Sequence, residues 1–573
     1  MNNTDVFKDF DMVVSITERS INDQLTHLLR MGTISPELVI VQELNEQTDE
    51  FEFKVLDSSD DIEFDGKGNP YSATIAVEIK PKISINDSGK TVTFMLEFTG
   101  GYAWFWKGTG PKAKLVKYDA TGWQYAVAIN MDFKQLKKDN LENNVKVPDF
   151  VEEQLTQFMS NMFDVNHLFM NFQSADLMRF DPDKTNAGDA KDVGVEQLVT
   201  FMNFYLKWLT KTGNPFILGY SITQNDKTAV PDEAKVPDSI KPVGTTYTMY
   251  RDNLHPHLST LNFTLVTKGG YKTIRRSPDN FDTNWITPED QCDAKMIYAA
   301  SRFSEEFILK PLFEKLRDET HDKLKGALTL VAKRSYDQAK KVLPQGYRFE
   351  VADQNLDTDI YKNSYDVEII NEPGATHYKV KGSIIVYKKK TKDMFFCEAE
   401  ASARALTEWE ATFTVMVEKD AQGQPTLAFK QKCEVKRFEN TKDKNNCAKA
   451  WDAIGEILST LSSVFDLVGL NLSSLVNEIF KTNTPGIGDI RVALSNMDNS
   501  FNNAIMLPAG GVFFFKNPVA DTAGNMAMSL TYKADSEVKV ATQKFQQKRQ
   551  LLQSKRRVNL ALMGTVLQPE ISE

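Results

Sequence analysis

Alternating apolar and polar residues recur along this chain, and they constrain its fold more than any other feature. Ile75, Val77 and Ile79 alternate with more polar neighbours, the stretches 92–98 and 123–129 repeat the pattern, and 409–417 does so most regularly. Successive side chains on a strand point to opposite faces, so a period of two predicts strands with one apolar and one polar face. Such strands are typical of antiparallel sheets with one face in water.

Stretches with a helical period lie between these strands. A helix is predicted over about 10–31, where Gly32 supplies a left-handed cap. A longer helix is predicted over about 294–338, and Pro311 should kink or break it because proline lacks a backbone N–H. Further helices are predicted over about 148–162, 193–209, 448–481 and 536–557. The apolar faces of the helices predicted over 10–31 and 294–338 carry eight residues. They are Val14, Ile21, Leu25, Leu28, Phe303, Phe307, Leu312 and Leu316.

The order of these elements occurs twice along the chain. Helix, antiparallel strands, helix and strand follow one another in each half, at an offset of roughly 300 residues. A chain of 573 residues is also too long for one ordinary core. We predict an α+β fold in which long amphipathic helices pack on highly curved antiparallel β-sheets. Its two modules would span 1–290 and 291–573, and the second would end in a basic helix.

A helix along a curved sheet encloses an apolar interior, which is either a packed core or a ligand site. A hydrocarbon guest gains about 0.8 kcal/mol for each methylene that it buries there. The chain has 36 Phe and 19 Met, and the adaptable methionine side chain suits a variable apolar guest. The eight helix positions named above are therefore candidate walls of an apolar-ligand site. An ordinary core is the alternative.

Two local stretches, together with the element order, carry a resemblance to a known family. They are Phe10-Asp11-Met12-Val13-Val14 leading to Asn22, and 300–312, where an apolar helix runs into Pro311-Leu312. The chain resembles the OrfX-type accessory proteins of clostridial neurotoxin clusters, which belong to the tubular lipid-binding (TULIP) superfamily. The resemblance implies two TULIP-like modules, binding of lipid or membrane phosphoinositide, no catalysis, and partner proteins from a bacterial toxin or insecticidal gene cluster.

Motifs for catalysis, nucleotides and metals are incomplete in this sequence. Residues 88–91 match only the end of a phosphate loop and lie between predicted strands. His255 and His257 are the nearest approach to a metal site, and the proline between them argues against it. Residues 181–189 resemble a calcium loop, but Asn186 stands where the sharp turn requires glycine. We predict no enzymatic activity, no cofactor and no metal.

Charge and cysteine content restrict the partners and the compartment. The net charge of −10 gives no electrostatic reason to expect nucleic acid. Four cysteines are too few for a disulfide scaffold, so we expect reduced thiols, with a Cys433–Cys447 bridge as the only pairing considered. The N-terminus lacks the features of a signal peptide, which predicts a cytoplasmic protein as synthesised, or one released without a secretory signal.

Two segments are candidates for contact with a membrane. Ile457–Val476 is the nearest to a membrane span, and we interpret it as a buried helical hairpin, with bilayer insertion as the alternative. The basic C-terminal helix is either a solvated face or a surface for anionic headgroups. Its cations include Lys544, Lys548, Arg549 and Arg556.

These patterns together predict a non-catalytic protein that binds a lipid or another apolar ligand. The resemblance adds an accessory role in a toxin or insecticidal gene cluster. A membrane-permeabilising toxin component, with 457–476 as the inserting hairpin, is one alternative. A structural or assembly protein with a filled core is another.

Overall fold

A computed structural model of the chain describes most of its residues. These are 7, 9–45, 47–48, 50–86, 91–135, 163–170, 172, 180–224, 237–270, 284–329, 333–419, 425–452, 471–481, 505–506, 513–521 and 523–532. The predicted helices over 148–162 and 536–557 lie outside this set, as do Lys544, Lys548, Arg549 and Arg556 and most of the 457–476 segment. Within the described set the chain folds into antiparallel sheets with packed helices, an α+β arrangement.

The strands and helices follow one another in a mixed order. The strands are β1 (Met12–Thr17), β2 (Glu37–Asn45), β3 (Glu50–Leu56), β4 (Thr74–Ile85), β5 (Thr91–Lys107), β6 (Lys114–Asp119), β7 (Gln124–Gln135), β8 (Phe163–Met170), β9 (Ile217–Gln224), β10 (Pro242–Tyr250), β11 (Thr260–Thr267), β12 (Ala294–Tyr298), β13 (Lys340–Leu343), β14 (Gly346–Asn355), β15 (Asp359–Glu372), β16 (Ala375–Asp393), β17 (Glu398–Lys419), β18 (Pro425–Lys444), β19 (Ile505–Met506), β20 (Phe513–Ala520) and β21 (Met526–Tyr532). The helices are α1 (Glu18–Met31), α2 (Lys191–Thr212), a π-helix (Ser301–Leu309), α3 (Lys310–Leu324), α4 (Tyr336–Ala339), α5 (Asn446–Asp452) and α6 (Leu472–Ile479).

The described strands form three antiparallel sheets. The N-terminal sheet has the order β19-β9-β8-β7-β5-β4-β2-β3, with β6 also paired to β5. The central sheet has the order β10-β11-β1-β12-β21-β20, and the C-terminal sheet runs from β13 to β18 in chain order. The consecutive order of the C-terminal sheet is a meander of hairpins, as its alternating sequence predicts.

The central sheet joins parts of the chain that are far apart in sequence. β1 lies between β11 and β12, and β12 pairs in turn with β21. The predicted boundary after 290 falls just before β12, so strands from both sides of it share this sheet. The division into two modules and the strong curvature of the sheets stay predictions.

The prediction of one helix over 10–31 was wrong for its first part. Residues 12–17 form the strand β1, and only Glu18–Met31 is helical. All six residues of β1 are buried, since the strand lies inside the central sheet. A strand buried on both faces has no alternation, so its short apolar run is easily read as part of the following helix.

The prediction of one helix over 294–338 was also wrong in its bounds. β12 occupies its start, the π-helix and α3 follow, and α3 ends at Leu324. Pro311 is the second residue of α3, so the break falls where proline was expected to place it. Lys310 N–H donates to the carbonyl of Glu305, a bond five residues back that defines the π geometry.

Other predicted elements are confirmed. The helix expected over 193–209 is α2, which ends before Gly213. The alternating stretch 409–417 lies within the 22-residue strand β17. The region expected as strand over 245–267 is two strands, β10 and β11, separated by a loop. Among the described residues no helix has the length and hydropathy to span a membrane.

The cysteine prediction was wrong. Cys397 and Cys447 form a disulfide, with their Cα atoms 6.1 Å apart, while Cys292 and Cys433 are free thiols. β17 and β18 pair so that Ala401 faces Lys444, which brings the start of one strand next to the residues that follow the other. This proximity depends on strand register and cannot be read from cysteine spacing.

Candidate apolar-ligand site

The eight predicted wall residues lie in one continuous apolar core. Each is at most 2% exposed, and all belong to the same cluster of contacting buried side chains. Val14 belongs to β1, not to a helix. α1 carries Ile21, Leu25 and Leu28, the π-helix carries Phe303 and Phe307, and α3 carries Leu312 and Leu316. Their burial is common to a packed core and to a ligand wall.

α1 is fixed to the N-terminal sheet by Asn22, a polar residue for which the sequence predicts no contact. The Asn22 amide donates to the Ile83 carbonyl at 3.0 Å and accepts from the Ile83 N–H at 2.8 Å. Its side chain thus replaces a strand partner along that part of β4. Thr17 caps the start of α1 by accepting from Ser20 N–H, and Gly32 ends it in a left-handed conformation.

Glu18 is a buried carboxylate at the start of α1. Its Oε2 accepts from the Ile85 N–H at 2.7 Å and lies 3.7 Å from Arg251 Nη1. Burial raises the pKa of Glu18 above its ordinary value, against the opposing effects of the Ile85 hydrogen bond and of Arg251. The Glu18 carboxylate joins α1 to β4 and to the loop after β10, so its role is structural.

The C-terminal sheet presents a layer of aromatic rings around the π-helix and α3. Phe349, Tyr365, Gly382 and Trp409 are paired in register across β14 to β17, so they lie in one row on the same face. The Phe349 and Tyr365 rings are stacked with centroids 4.8 Å apart, and the Tyr365 and Trp409 rings are 6.1 Å apart. Phe313 of α3 contacts the layer through Phe349 at 6.1 Å.

Three polar atoms inside this layer have no hydrogen-bond partner among the described residues. They are the hydroxyls of Tyr336 and Tyr365 and the indole Nε1 of Trp409. Their side chains are at most 7% exposed. The Tyr336 ring contacts Phe349 at 5.4 Å, so the three belong to one chain of neighbouring rings. Buried tyrosine hydroxyls and tryptophan N–H groups normally have a hydrogen-bond partner in folded proteins.

Neighbouring phenols of the same sheet do have partners. The Tyr378 hydroxyl lies 2.7 Å from Ser304 Oγ on the π-helix, and Ser304 also donates to the Gly524 carbonyl. The Tyr347 hydroxyl donates to the Ala523 carbonyl at 3.0 Å. Among these phenols of the layer, Tyr336 and Tyr365 therefore differ from Tyr347 and Tyr378, although buried polar atoms without a partner also occur elsewhere among the described residues, as at Tyr220 and Thr260.

These phenols are neutral hydrogen-bond donors at physiological pH. Burial raises the pKa of Tyr365 well above its ordinary value and also raises that of Tyr336, where the charge of Glu305 adds to the shift. The arrangement offers an apolar surface with a few uncharged donors. That combination is typical of sites for ligands that are mostly hydrocarbon with one polar group.

A polar cleft beside α3 is a weaker candidate. It has a volume of about 170 Å³ and is lined by cations that include Arg317, Lys333 and Arg334. Arg317 and Lys333 pair with Asp318, at 2.9 and 3.0 Å. Arg334 pairs with Glu350 at 3.1 Å. These charges already neutralise one another, so the cleft does not present a free cationic surface.

The described residues contain no cluster that could hold a metal ion. Asp181 Oδ1 accepts the N–H groups of Asp183 and Lys184, which makes the calcium-like stretch an ordinary turn. Asp252 Oδ1 similarly accepts the N–H groups of Leu254 and His255. Both carboxylates stabilise loops.

The aromatic layer was not predicted as a site from the sequence. Its strand residues lie on different strands, and the pairing of four strands is needed to place them in one row. The alternation in β17 predicts only that Trp409 faces inward. Nothing in the sequence shows that its Nε1 lacks a partner.

The described residues define an α+β protein with three antiparallel sheets and an aromatic layer on one face of the C-terminal sheet. No protein-family model matches the chain, and no curated protein matches it. Among solved structures, it is similar to the crystal structure of lipopolysaccharide binding protein, with a TM-score of 0.28 and 7% sequence identity over 92% of this chain and 99% of that one. A TM-score of this size assigns neither a family nor a function, so the TULIP resemblance stays a prediction.

Proposed function

We propose that this protein is a non-catalytic carrier or binder of a lipid-like ligand. The ligand would lie between the π-helix with α3 and the aromatic layer of the C-terminal sheet. Its hydrocarbon part would contact Phe303, Phe307, Leu312 and Leu316. Its polar group would accept hydrogen bonds from the unpaired donors of the layer.

The observation that supports this proposal is the set of unpaired donors at Tyr336, Tyr365 and Trp409. Leaving a buried donor unpaired costs about 1–3 kcal/mol, and these three donors lie on one chain of neighbouring rings beside the helices. A ligand oxygen would remove this cost, and its hydrocarbon tail would gain about 0.8 kcal/mol for each buried methylene. The wall predicted at α1 stays a second candidate, because all eight wall residues share one core.

The first experiment asks whether a ligand is present. Native mass spectrometry of the full chain, followed by solvent extraction, is expected to find a bound lipid or fatty acid. The extracted protein should then take up a long-chain fluorescent fatty acid. Absence of both a co-purified lipid and any uptake would contradict the proposal and leave the filled-core assembly protein as the better description.

The second experiment separates a ligand donor from a core residue. Tyr365→Phe removes only an unpaired hydroxyl, so it should leave the fold intact and weaken fatty-acid binding about three- to tenfold, the equivalent of one hydrogen bond. The matched control is Tyr361→Phe on the same strand, whose hydroxyl already accepts from the Asn363 amide. Equal fatty-acid binding by wild type, Tyr365→Phe and Tyr361→Phe would contradict the assigned polar contact.

The accessory role in a toxin gene cluster rests on the family resemblance and is tested by co-purification with products of neighbouring genes.

The membrane-permeabilising alternative predicts leakage of dye-loaded vesicles, whereas a carrier leaves them sealed. Its proposed inserting segment, 457–476, lies mostly outside the described residues.

A further inference from the structure

The hairpin between β16 and β17 ends in two exposed phenylalanines. The strands pair up to Asp393 and Glu398, and the turn between them is Met394-Phe395-Phe396-Cys397. The turn is closed by the Met394 N–H, which donates to the Cys397 carbonyl at 2.9 Å. Phe395 is 94% exposed and Phe396 is 96% exposed, the two highest values among the large apolar residues that the structure describes.

Phenylalanine has no local reason to occupy the centre of a tight turn. Turns favour Gly, Asn, Asp, Pro and Ser, because these residues adopt the required backbone angles or hydrogen-bond to the turn itself. Two adjacent rings in water add exposed apolar surface without packing against the turn. An exposed pair of this kind indicates a surface that is covered when the protein acts.

The turn is fixed by a disulfide and by contacts with α5 and the residues before it. Cys397 is linked to Cys447, and Met394 packs on a small cluster formed by Ala399, Ala401 and Ala448. Asn445 donates to the Glu398 carbonyl at 2.8 Å and accepts from the Glu400 N–H at 3.1 Å. The phenylalanines are therefore presented on a fixed support, since α5 and the end of β18 brace the hairpin.

The strands behind the turn carry their charges on separate faces. Lys442 lies opposite Ala403, Lys390 and Lys444 flank Ala401, and Lys392 lies opposite Ala399, all in register and so on one face. We call this set of residues the lysine face. Lys388, also opposite Ala403, is buried and donates to the Ala327 carbonyl, so it does not belong to the lysine face.

The carboxylates of the hairpin lie on the other face. In the strand register Asp393 lies opposite Glu398, Thr391 lies opposite Glu400, and Ser402 lies opposite Asp443. Lys389 of that face forms an ion pair with Glu400 at 2.8 Å. The helix α5 adds the exposed cation Lys449 near the lysine face. Among the described residues of this end of the sheet, positive charge is thus concentrated on one side of the phenylalanine turn.

A third apolar side chain lies at the same end of the sheet. Leu356 is in the turn between β14 and β15 and is 44% exposed. The Lys389 N–H donates to the Thr358 carbonyl, so this turn is fixed beside β16. It ends several residues short of the phenylalanine turn, because Asp359 pairs with Lys388.

We propose that this hairpin is a membrane-docking tip that inserts Phe395 and Phe396 into the interfacial region of an anionic phospholipid bilayer, with the lysine face on the headgroups. Aromatic rings partition well into the bilayer interface. Lysines near them extend their apolar stems along the surface and place their ammonium groups among lipid phosphates. The proposal rests on exposure and charge at the tip and does not depend on the ligand site.

Vesicle sedimentation tests the docking. The full chain is mixed with vesicles of phosphatidylcholine alone or of phosphatidylcholine with phosphatidylserine. We expect binding to the phosphatidylserine vesicles that weakens as salt is raised. Phe395→Ser with Phe396→Ser should lower the affinity about a hundredfold, tenfold for each ring removed from the interface. Both residues are exposed, so thermal unfolding should be unchanged.

Two matched variants make the result specific. Leu254→Ser removes another highly exposed apolar side chain, 86% exposed in the loop between β10 and β11 of the central sheet, and should bind vesicles as the wild type does. Lys392→Glu with Lys449→Glu should weaken binding to phosphatidylserine vesicles only. In a Phe395→Trp variant, the emission that remains after subtracting that of the wild type, with its seven tryptophans, should shift to shorter wavelength when these vesicles are added.

Several outcomes would overturn the proposal. These are no binding of the folded wild type at low salt, equal binding by the double phenylalanine variant, or an unshifted tryptophan emission. Sedimentation velocity without lipid would reveal a tip that instead joins two copies, as a dimer abolished by the double variant. Fatty-acid uptake should be unaffected by the tip variants, and Tyr365→Phe should bind vesicles normally, so the two proposals fail independently.

Discussion

The Trp409 indole occupies the space into which a side chain at Gly382 would project. The two residues are paired in register on β16 and β17, and a Cβ built on Gly382 overlaps the ring atoms of Trp409. The indole also contacts Tyr365 at 6.1 Å and Phe480 at 5.1 Å between ring centroids. A glycine in the middle of a long strand therefore sets how the aromatic layer packs.

Gly382→Ala is expected to lower the free energy of unfolding by about 1–3 kcal/mol, because the added methyl group must displace a ring in a close-packed interior. Urea denaturation measures the change. The matched control is Gly66→Ala, where a Cβ meets no atom within 4 Å. A loss of stability no greater than that of the control would show that Trp409 does not lie on Gly382.

Asn22→Ala is expected to destabilise the chain by about 1–3 kcal/mol, because the Ile83 N–H and carbonyl lose the side chain that pairs with both. Asp23→Ala, at the next and exposed position of α1, should change stability by less than about 0.5 kcal/mol. Thermal and urea unfolding of the two variants give the comparison. Similar values for both would contradict the docking role of Asn22.

The Cys397–Cys447 bridge predicts a specific thiol count. Denatured protein should expose two reactive thiols, Cys292 and Cys433, before reduction and four after it. Four thiols without reduction would contradict the bridge. Cys397→Ser with Cys447→Ser should lower stability by up to about 4 kcal/mol, the effect expected for opening a loop of this length. Cys433→Ser, which leaves the bridge intact, is the control.

Glu18 predicts a pH dependence of stability. Because burial raises its pKa above the ordinary 4.5, the folded chain holds this proton more tightly than the unfolded chain does. The resulting stabilisation is fully present below the unfolded pKa and is lost as the pH rises through the folded pKa.

Glu18→Gln keeps an oxygen acceptor for the Ile85 N–H and carries no charge. Its stability relative to wild type should therefore increase as the pH is raised from about 4 to about 7. Urea denaturation at several pH values measures this difference. A difference that is constant, or that decreases over this range, would contradict a raised pKa.

The predictions from sequence succeeded where the signal is local. The alternation in 409–417 predicts a strand with one inward face, and β17 has it. The helical period over 193–209 predicts α2 because seventeen residues contain several turns of the pattern. Pro311 marks the change from π-helix to α3 because its missing N–H acts on its own turn.

They failed where neighbours in space decide the structure. β1 has no alternation, because it is covered on both faces and paired on both edges. The Cys397–Cys447 bridge joins residues 50 positions apart, and the register of β17 with β18 brings them together. The exposure of Phe395 and Phe396 likewise follows from their position at the end of a hairpin that α5 covers from one side only.

The sequence alone determined that this chain builds antiparallel sheets with helices, since side-chain periodicity is a property of neighbouring residues. It also placed Val14, Ile21, Leu25, Leu28 and their counterparts after 300 in the interior, because apolar side chains leave water wherever the fold allows. Only the tertiary structure decided which strands pair, which donors remain unpaired and which rings stay in water. Those outcomes depend on register and on contacts between distant segments, and no local pattern encodes them.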